Sequence, residues 1–344
     1  MKPNSSTAIS LVAVVLLCCV VSVKTQAQSK KLLLALSKAE HTLAIVDPAT
    51  LKVLGRVPVG IDPHEVVASS DGKTAYVAIY GGGTLHEINV IDIVNKKALP
   101  TIDTRPLYGP HDVAYVQDKL WFTAEGSKAV ARFDPATNKL DWTMGTGQDR
   151  THMLFVTADA KKIYTTNMSS GTVSILSDSV IQPPPNAPAT AKPRTDWFQK
   201  VVPASIGSEG FDVLPDGSKL WTAASSDGTI TVVNLRTKSQ EGKIDAKVFG
   251  ANRLKFTPDG KYAFVSSLST GDLFILEVAT QKLVKKINLG RGAAGILMDP
   301  DGTRAFVACS ADNYIAIVDL KKFEVTSKLD VGGVPDGMAW STVN

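Results

Sequence analysis

Three of the chain's five histidines, His64, His111 and His152, stand 47 and 41 residues apart, each seven residues ahead of an aspartate, Asp71, Asp118 or Asp159. The same offset from Asp216, Asp259 and Asp301 picks out Glu209, Asn252 and Ala294, and Asp336 holds the matching place near the C-terminus. Imidazoles and carboxylates suit Zn, Fe(II) or Cu, and an arc of three or four ligands leaves a coordination position open for water or substrate. A divalent transition metal held there would lower the pKa of bound water or polarise a carbonyl. His64, His111, His152 and Glu209 are therefore the candidate metal ligands, with Glu209 and Asp336 the candidate catalytic groups that handle protons. Two other readings use the same residues: a wet polar channel without metal, or a catalytic histidine acting alone. Arg150, Arg253 and Arg291 lie at or near the same offset and could hold a carboxylate or phosphate; Tyr108 and Tyr80 fall in neighbouring loops.

Spacing of this length carries meaning only if a repeat sets it. Ser70-Asp71-Gly72-Lys73 before Ala75-Tyr76-Val77-Ala78 recurs as Pro215-Asp216-Gly217-Ser218, Pro258-Asp259-Gly260-Lys261 and Pro300-Asp301-Gly302, each before a similar apolar run. The Asp anchors are separated by 47, 41, 57, 43 and 42 residues. Seven further apolar runs end in turns, among them Ile45-Val46-Asp47-Pro48, Val90-Ile91-Asp92 and Ile317-Val318-Asp319. Asp, Gly and Pro suit such turns, and the β-branched and aromatic runs between them imply about four strands per unit. The expected fold is an all-β seven-bladed β-propeller. Its first blade is closed by N- and C-terminal strands, because Pro335–Trp340 begins a unit that Lys31–Val59 completes. Closure pairs the strand edges that would otherwise be exposed. In this frame all five histidines face one end, with His41 and His86 farther from the axis, and the Asp-Gly turns face the other. The tryptophans are expected to pack between blades.

The remaining composition narrows the classes. Residues 1–27 read as a signal peptide, with Lys2, an apolar run over Ile9–Val23 and cleavage near Ala27. The run is too short for a lasting membrane anchor. Residues 28–344 are then a single domain in the periplasm or outside the cell, with a Pro-rich loop at 181–195. Cys18 and Cys19 leave with the leader, so Cys309 remains without an internal disulfide partner. The formal charge of +4 is spread along the chain, which gives nucleic-acid binding little support. No Gly-x-Ser-x-Gly elbow is present, and Gly81-Gly82-Gly83 lacks the Lys-Ser/Thr of a phosphate loop.

Tyr76-Val77-Ala78, Ile163-Tyr164-Thr165-Thr166-Asn167 and Phe264-Val265-Ser266-Ser267, with their Pro-Asp-Gly-Lys and Asp-Pro-Ala-Thr turns, resemble the YVTN-repeat β-propellers. The resemblance covers nearly all of the chain after the leader. It implies the fold strongly and function weakly, since relatives include surface-layer and periplasmic propellers and lactonase-like enzymes. The expected function is metal-assisted action on a small carbonyl or ester-like molecule at the channel mouth, lactonase-like hydrolysis being the most concrete form. The alternatives are a non-catalytic scaffold or metal-binding protein that holds an envelope protein or polymer, and an Fe- or Cu-dependent oxidoreductase.

Overall fold

A computed structural model describes residues 29–188 and 190–343, together with Met1. Apart from Met1, the expected leader lies outside the described residues. The strands form seven four-stranded antiparallel sheets, the seven blades expected from the repeat. Blade 2, for example, runs outward from the axis as Pro63–Ala68, Thr74–Ile79, Glu87–Asp92 and Lys97–Asp103. Its second strand is covered on both faces by neighbouring blades, so Ala75 to Ile79 are all buried. An outermost strand such as Lys139–Gly145 in blade 3 has one face covered and alternates between exposed and half-buried positions.

Turn chemistry explains the breaks between strands. The Oδ1 atoms of Asp71, Asp216, Asp259 and Asp301 accept the backbone N–H two residues on, at 2.9–3.1 Å. Each carboxylate thereby satisfies a backbone donor at the bend. Blade 1 is closed as expected: Pro335–Val343 pairs with Lys30–Ser37, with Leu32 opposite Ser341 and Leu34 opposite Ala339. Ser341 Oγ also donates to Gly72 O at 2.6 Å, tying the last strand to blade 2.

The core lies between blades. Leu34, Leu36 and Ile45 of blade 1 pack with Val66, Val77 and Ile79 of blade 2. Tryptophans fill the same seams: Trp121 and Trp142 of blade 3 meet Trp197 of blade 4, with the rings of Trp142 and Trp197 4.9 Å apart. Trp340 of blade 1 meets Phe306 of blade 7 across their seam. Cys309 is buried in its strand, and burial pushes its thiol up to about 11, which makes it a poor nucleophile.

The Pro-rich insertion is more ordered than a loop over 181–195. Thr172–Ile181 and Arg194–Pro203 form ten-residue strands paired out to Ile181 opposite Arg194. Ile181, Val180 and Thr195 extend the ladder, and Pro183-Pro184-Pro185 end it because proline has no N–H to donate.

All seven innermost strands share one irregularity. Their pairing breaks after the first residue and resumes at the fourth, as between Pro63 and Val66, Pro110 and Val113, and Thr151 and Leu154. The same break occurs at Ser208/Phe211, Ala251/Leu254, Ala293/Ile296 and opposite Ala35/Ser37 in blade 1. Such bulges re-aim side chains. The unpaired residues begin with the seven mouth positions: His64, His111, His152, Glu209, Asn252, Ala294 and Asp336.

Candidate active site at the channel mouth

The mouth positions converge. His64, His111, His152, Glu209, Asn252, Ala294 and Asp336 line one cavity of about 260 Å³, together with Lys38, Tyr80, Arg150, Arg253, Leu268, Ser310 and Val334. Backbone contacts between blades fix several of them. Thr123 Oγ1 of blade 3 donates to His152 O at 2.7 Å, and Thr166 Oγ1 of blade 4 donates to Glu209 O at 2.8 Å. Ser266 Oγ of blade 6 donates to Ala294 O at 2.6 Å. Each hydroxyl replaces a ladder bond lost at a bulge, so the cavity residues are freed from strand pairing without leaving the backbone loose.

The histidines form a row, with ring centroids 4.7 Å apart for His64 and His111 and 3.7 Å apart for His111 and His152. His152 Nδ1 lies 2.6 Å from Glu125 Oε2, and Glu209 Oε1 is 3.6 Å from its Nε2. Burial opposes a charged ring, but the two carboxylates outweigh it and raise the His152 pKa. His111 is buried beside His152 and His64; burial first, then the neighbouring rings, holds it well below the usual histidine range. Glu125 is held down at about 2: burial alone would raise it, yet His152, Tyr80 and Arg150 prevail. Two ring nitrogens of the cavity histidines, His111 Nδ1 and His152 Nε2, are buried with no hydrogen-bond partner among the described residues.

On the other side of the axis, the Arg253 side chain is 5% exposed and reaches across the channel to Glu65 of blade 2 and Glu209 of blade 5. Asn252 Nδ2 donates to the same Glu209 oxygen at 2.5 Å. Lys38 Nζ lies 2.7 Å from His64 Nε2, 3.1 Å from Asp62 Oδ1 and 3.6 Å from Asp336 Oδ2.

The expected site is thus brought together in large part. His64, His111, His152, Glu209 and Asp336 share the cavity, and Arg150 lines it with its side chain partly exposed. Arg253 is present but committed to two carboxylates. Tyr108 lies outside the cavity against His86, 5.7 Å between rings, and Arg291 is exposed and paired with Asp312. Among the described residues, no group of three or more His, Cys, Asp or Glu side chains is disposed to hold a metal ion. Two cations stand at the expected donors, Lys38 on His64 and Arg253 on Glu209. In favour of a metal stand the unpartnered ring nitrogens and the carboxylate behind His152, the arrangement that commonly orients a ligating imidazole.

The repeat carries two further rings of residues. The residue after each second strand gives Lys38, Tyr80, Glu125, Met168, Ser225, Leu268 and Ser310, and from blade 2 onward it follows the mouth position by 16 residues, or by 14 in blade 3. Four of these line the cavity. Two residues before each mouth position the backbone is left-handed, with Gly109, Gly207, Gly250 and Gly292 in four blades. Asp62, Arg150 and Val334 hold the same conformation at φ 58°, 56° and 51°, which L side chains rarely adopt.

No family model matches the chain, and no curated protein matches it in sequence. Solved structures do share its fold. A Bacteroides fragilis protein that carries a 6-phosphogluconolactonase name is 16% identical, with 90% of this chain and 98% of that one covered and a TM-score of 0.70. The hydrazine synthase of Kuenenia stuttgartiensis is 15% identical, with 81% and 89% covered and a TM-score of 0.65. The dihydro-heme d1 dehydrogenase NirN is 13% identical, with 89% and 74% covered and a TM-score of 0.61. At these identities the likeness shows the seven-bladed propeller fold alone.

Proposed function

We propose that the mouth cavity is an active site for a small carbonyl or ester-like molecule, with His111 and His152 meeting the reacting group. One observation carries this reading: two adjacent buried imidazoles line the cavity, each with an unpartnered nitrogen, and their surroundings push their proton affinities apart. Bracketed by Glu125 and Glu209, His152 keeps its proton and presents Nε2–H to a carbonyl oxygen on which negative charge grows. The neutral ring of His111 accepts a proton at Nδ1 from an attacking water. Ester and water then give acid and alcohol, the alkoxide leaving group taking the proton from His152. Arg150 has two guanidinium nitrogens beyond its bond to Glu125 and would hold an anionic substituent. The repeat resemblance and the lactonase-named fold relative are in keeping with ester chemistry.

The test is turnover of a panel of small lactones and aryl esters. His152→Gln and His111→Gln should each lower kcat/KM at least about 100-fold, the scale of a lost acid or base, with circular dichroism unchanged. A wild-type protein inert towards the whole panel, with and without added metal, overturns the reading.

A second reading is favoured by the contact between Glu125 and His152. A Zn, Fe or Cu ion bound by His111, His152 and Glu209, with His64 as a further ligand, would supply Lewis-acid polarisation of the carbonyl. It requires Lys38 and Arg253 to release their partners. Calorimetric titration with Zn(II), with loss of binding in His111→Ala, separates it from the metal-free form. The expected leader supports placing this activity outside the cytoplasm, and an N-terminus near Gln28 on exported protein tests that placement.

A further inference from the structure

The cavity wall is polar around most of its circuit and apolar over one sector. Of the seven mouth positions, Ala294 of blade 7 is the one with no polar side chain. It is flanked by Leu268 of blade 6 and Val334 of the loop leading into blade 1, which also line the cavity and are 43% and 38% exposed. Phe249, 54% exposed, precedes Gly250, whose carbonyl accepts from Leu268 N–H at 2.9 Å. Val334 stands where four other blades use glycine, in a left-handed conformation that a β-branched residue adopts at a cost. A strained isopropyl group kept on a cavity rim is a sign of a role beyond packing.

Exposed apolar groups are also unequally shared between the two ends. Ile61, Tyr108, Ile206, Phe249, Leu268 and Val334 stand out on loops of the mouth face. Towards the opposite face, Val94 and, on the hairpin extension of blade 4, Val180 are the comparable cases among the described residues. An apolar sector beside a polar cavity fits a ligand with one end of each kind. The cavity volume of about 260 Å³ lies below the roughly 300–1,000 Å³ of drug-sized sites, so a chain attached to the reacting group runs out over the rim.

We infer that the ligand is a small amphiphile: its carbonyl head lies at His111 and His152, and its apolar tail leaves over Ala294 between Leu268 and Val334. This rests on the carbonyl reading of the cavity for the head and on the apolar sector for the tail. Val334 and Leu268 are then the residues that set tail preference, and the polar histidine side sets the head.

The experiment uses 2-alkylcyclopentanones, ketones that cannot be hydrolysed, with tails from ethyl to hexyl. Binding to the full mature protein is measured by calorimetry at fixed pH. Wild type should tighten about two- to fourfold per added methylene, the upper figure being that of full burial. Val334→Gly, which relieves the backbone at its position, and Leu268→Ser should each reduce the gain below about 1.5-fold per methylene, so that the hexyl ketone loses far more affinity than the ethyl ketone. Leu283→Ser, on an outermost strand, should change nothing. Equal binding of all tails by wild type overturns the amphiphile proposal and leaves the carbonyl site standing. So does an unaltered chain-length slope in both rim variants, which would assign the apolar rim to a macromolecular partner. Failure of every ketone to bind removes the carbonyl reading itself.

Discussion

Arg253→Met removes a cation that bridges two blades across the channel, and its consequences follow from the charges it leaves behind. Glu65 and Glu209 have side chains only 12% and 14% exposed, and Arg253 contacts both. Glu209 keeps His152 and Asn252, whereas Glu65 is left facing Asp112 and Asp336. Breaking a buried pair from one side costs about 3–5 kcal/mol. With an unfolding entropy of about 2.1 cal/mol/K per residue, a domain of this size loses about 1.5 °C per kcal/mol, so Tm should fall by about 5–8 °C. Burial already raises the Glu65 pKa despite Arg253, and losing Arg253 raises it further. A carboxyl with a raised folded-state pKa takes up protons on folding, so its ionisation lowers stability as pH rises through that range. The deficit should therefore be largest near pH 8 and shrink towards pH 5, and Glu65→Gln in the same chain should restore more than half of it. Urea unfolding followed by tryptophan fluorescence reads all three quantities. A loss under about 1 kcal/mol, the same loss at both pH values, or no rescue would refute the account of Arg253 as the charge that closes the channel.

Three further outcomes follow. Because the His152 pKa is raised above its ordinary value, hydrolysis should decline as pH rises through that raised value, while Glu125→Gln should move the decline to lower pH; a pH–rate profile identical in both proteins contradicts the bracket. Thr123→Val should cost about 1–3 kcal/mol by denaturant titration, since its hydroxyl serves both Asp112 N–H and His152 O, and stability within 0.3 kcal/mol of wild type would count against the hydroxyl contacts as the fasteners of the bulges. Removing residues 338–344 should abolish the single cooperative melting transition because it strips the innermost strand from blade 1, whereas an unchanged Tm would mean that the ring does not depend on its closure.

The mouth histidines were legible because a repeat converts distance along the chain into position around an axis: His64, His111 and His152 could be placed on one rim from the Asp anchors alone. Lys38, Tyr80 and Glu125 belong to a second ring with its own spacing; Tyr80 and Glu125 were readable as residues of neighbouring loops, but the three differ in chemical type, so the ring they share was not. Arg253 lines the cavity as the spacing suggested, but sequence shows an arginine near a cavity and not the two carboxylates it contacts. Tyr108 precedes its mouth position by three residues, and there the loop carries it outward to His86. The closing of blade 1 was readable from incomplete units at the two ends. The bulges were not, because a residue skipped in a hydrogen-bond ladder leaves no mark on an alternating apolar pattern.

Those bulges have a consequence for how such a protein changes over time. At the seven mouth positions the side chain belongs to residues released from the ladder, while neighbouring strands carry the pairing and the packing. A substitution at one address therefore alters the rim without rewriting the strand pairing, while addresses in contact, such as His111, His152, Glu209 and Asn252, change together. Selection, or a laboratory library confined to these positions, can explore new chemistries on an unaltered frame, with Ala294 as the vacancy from which a next function would be grown.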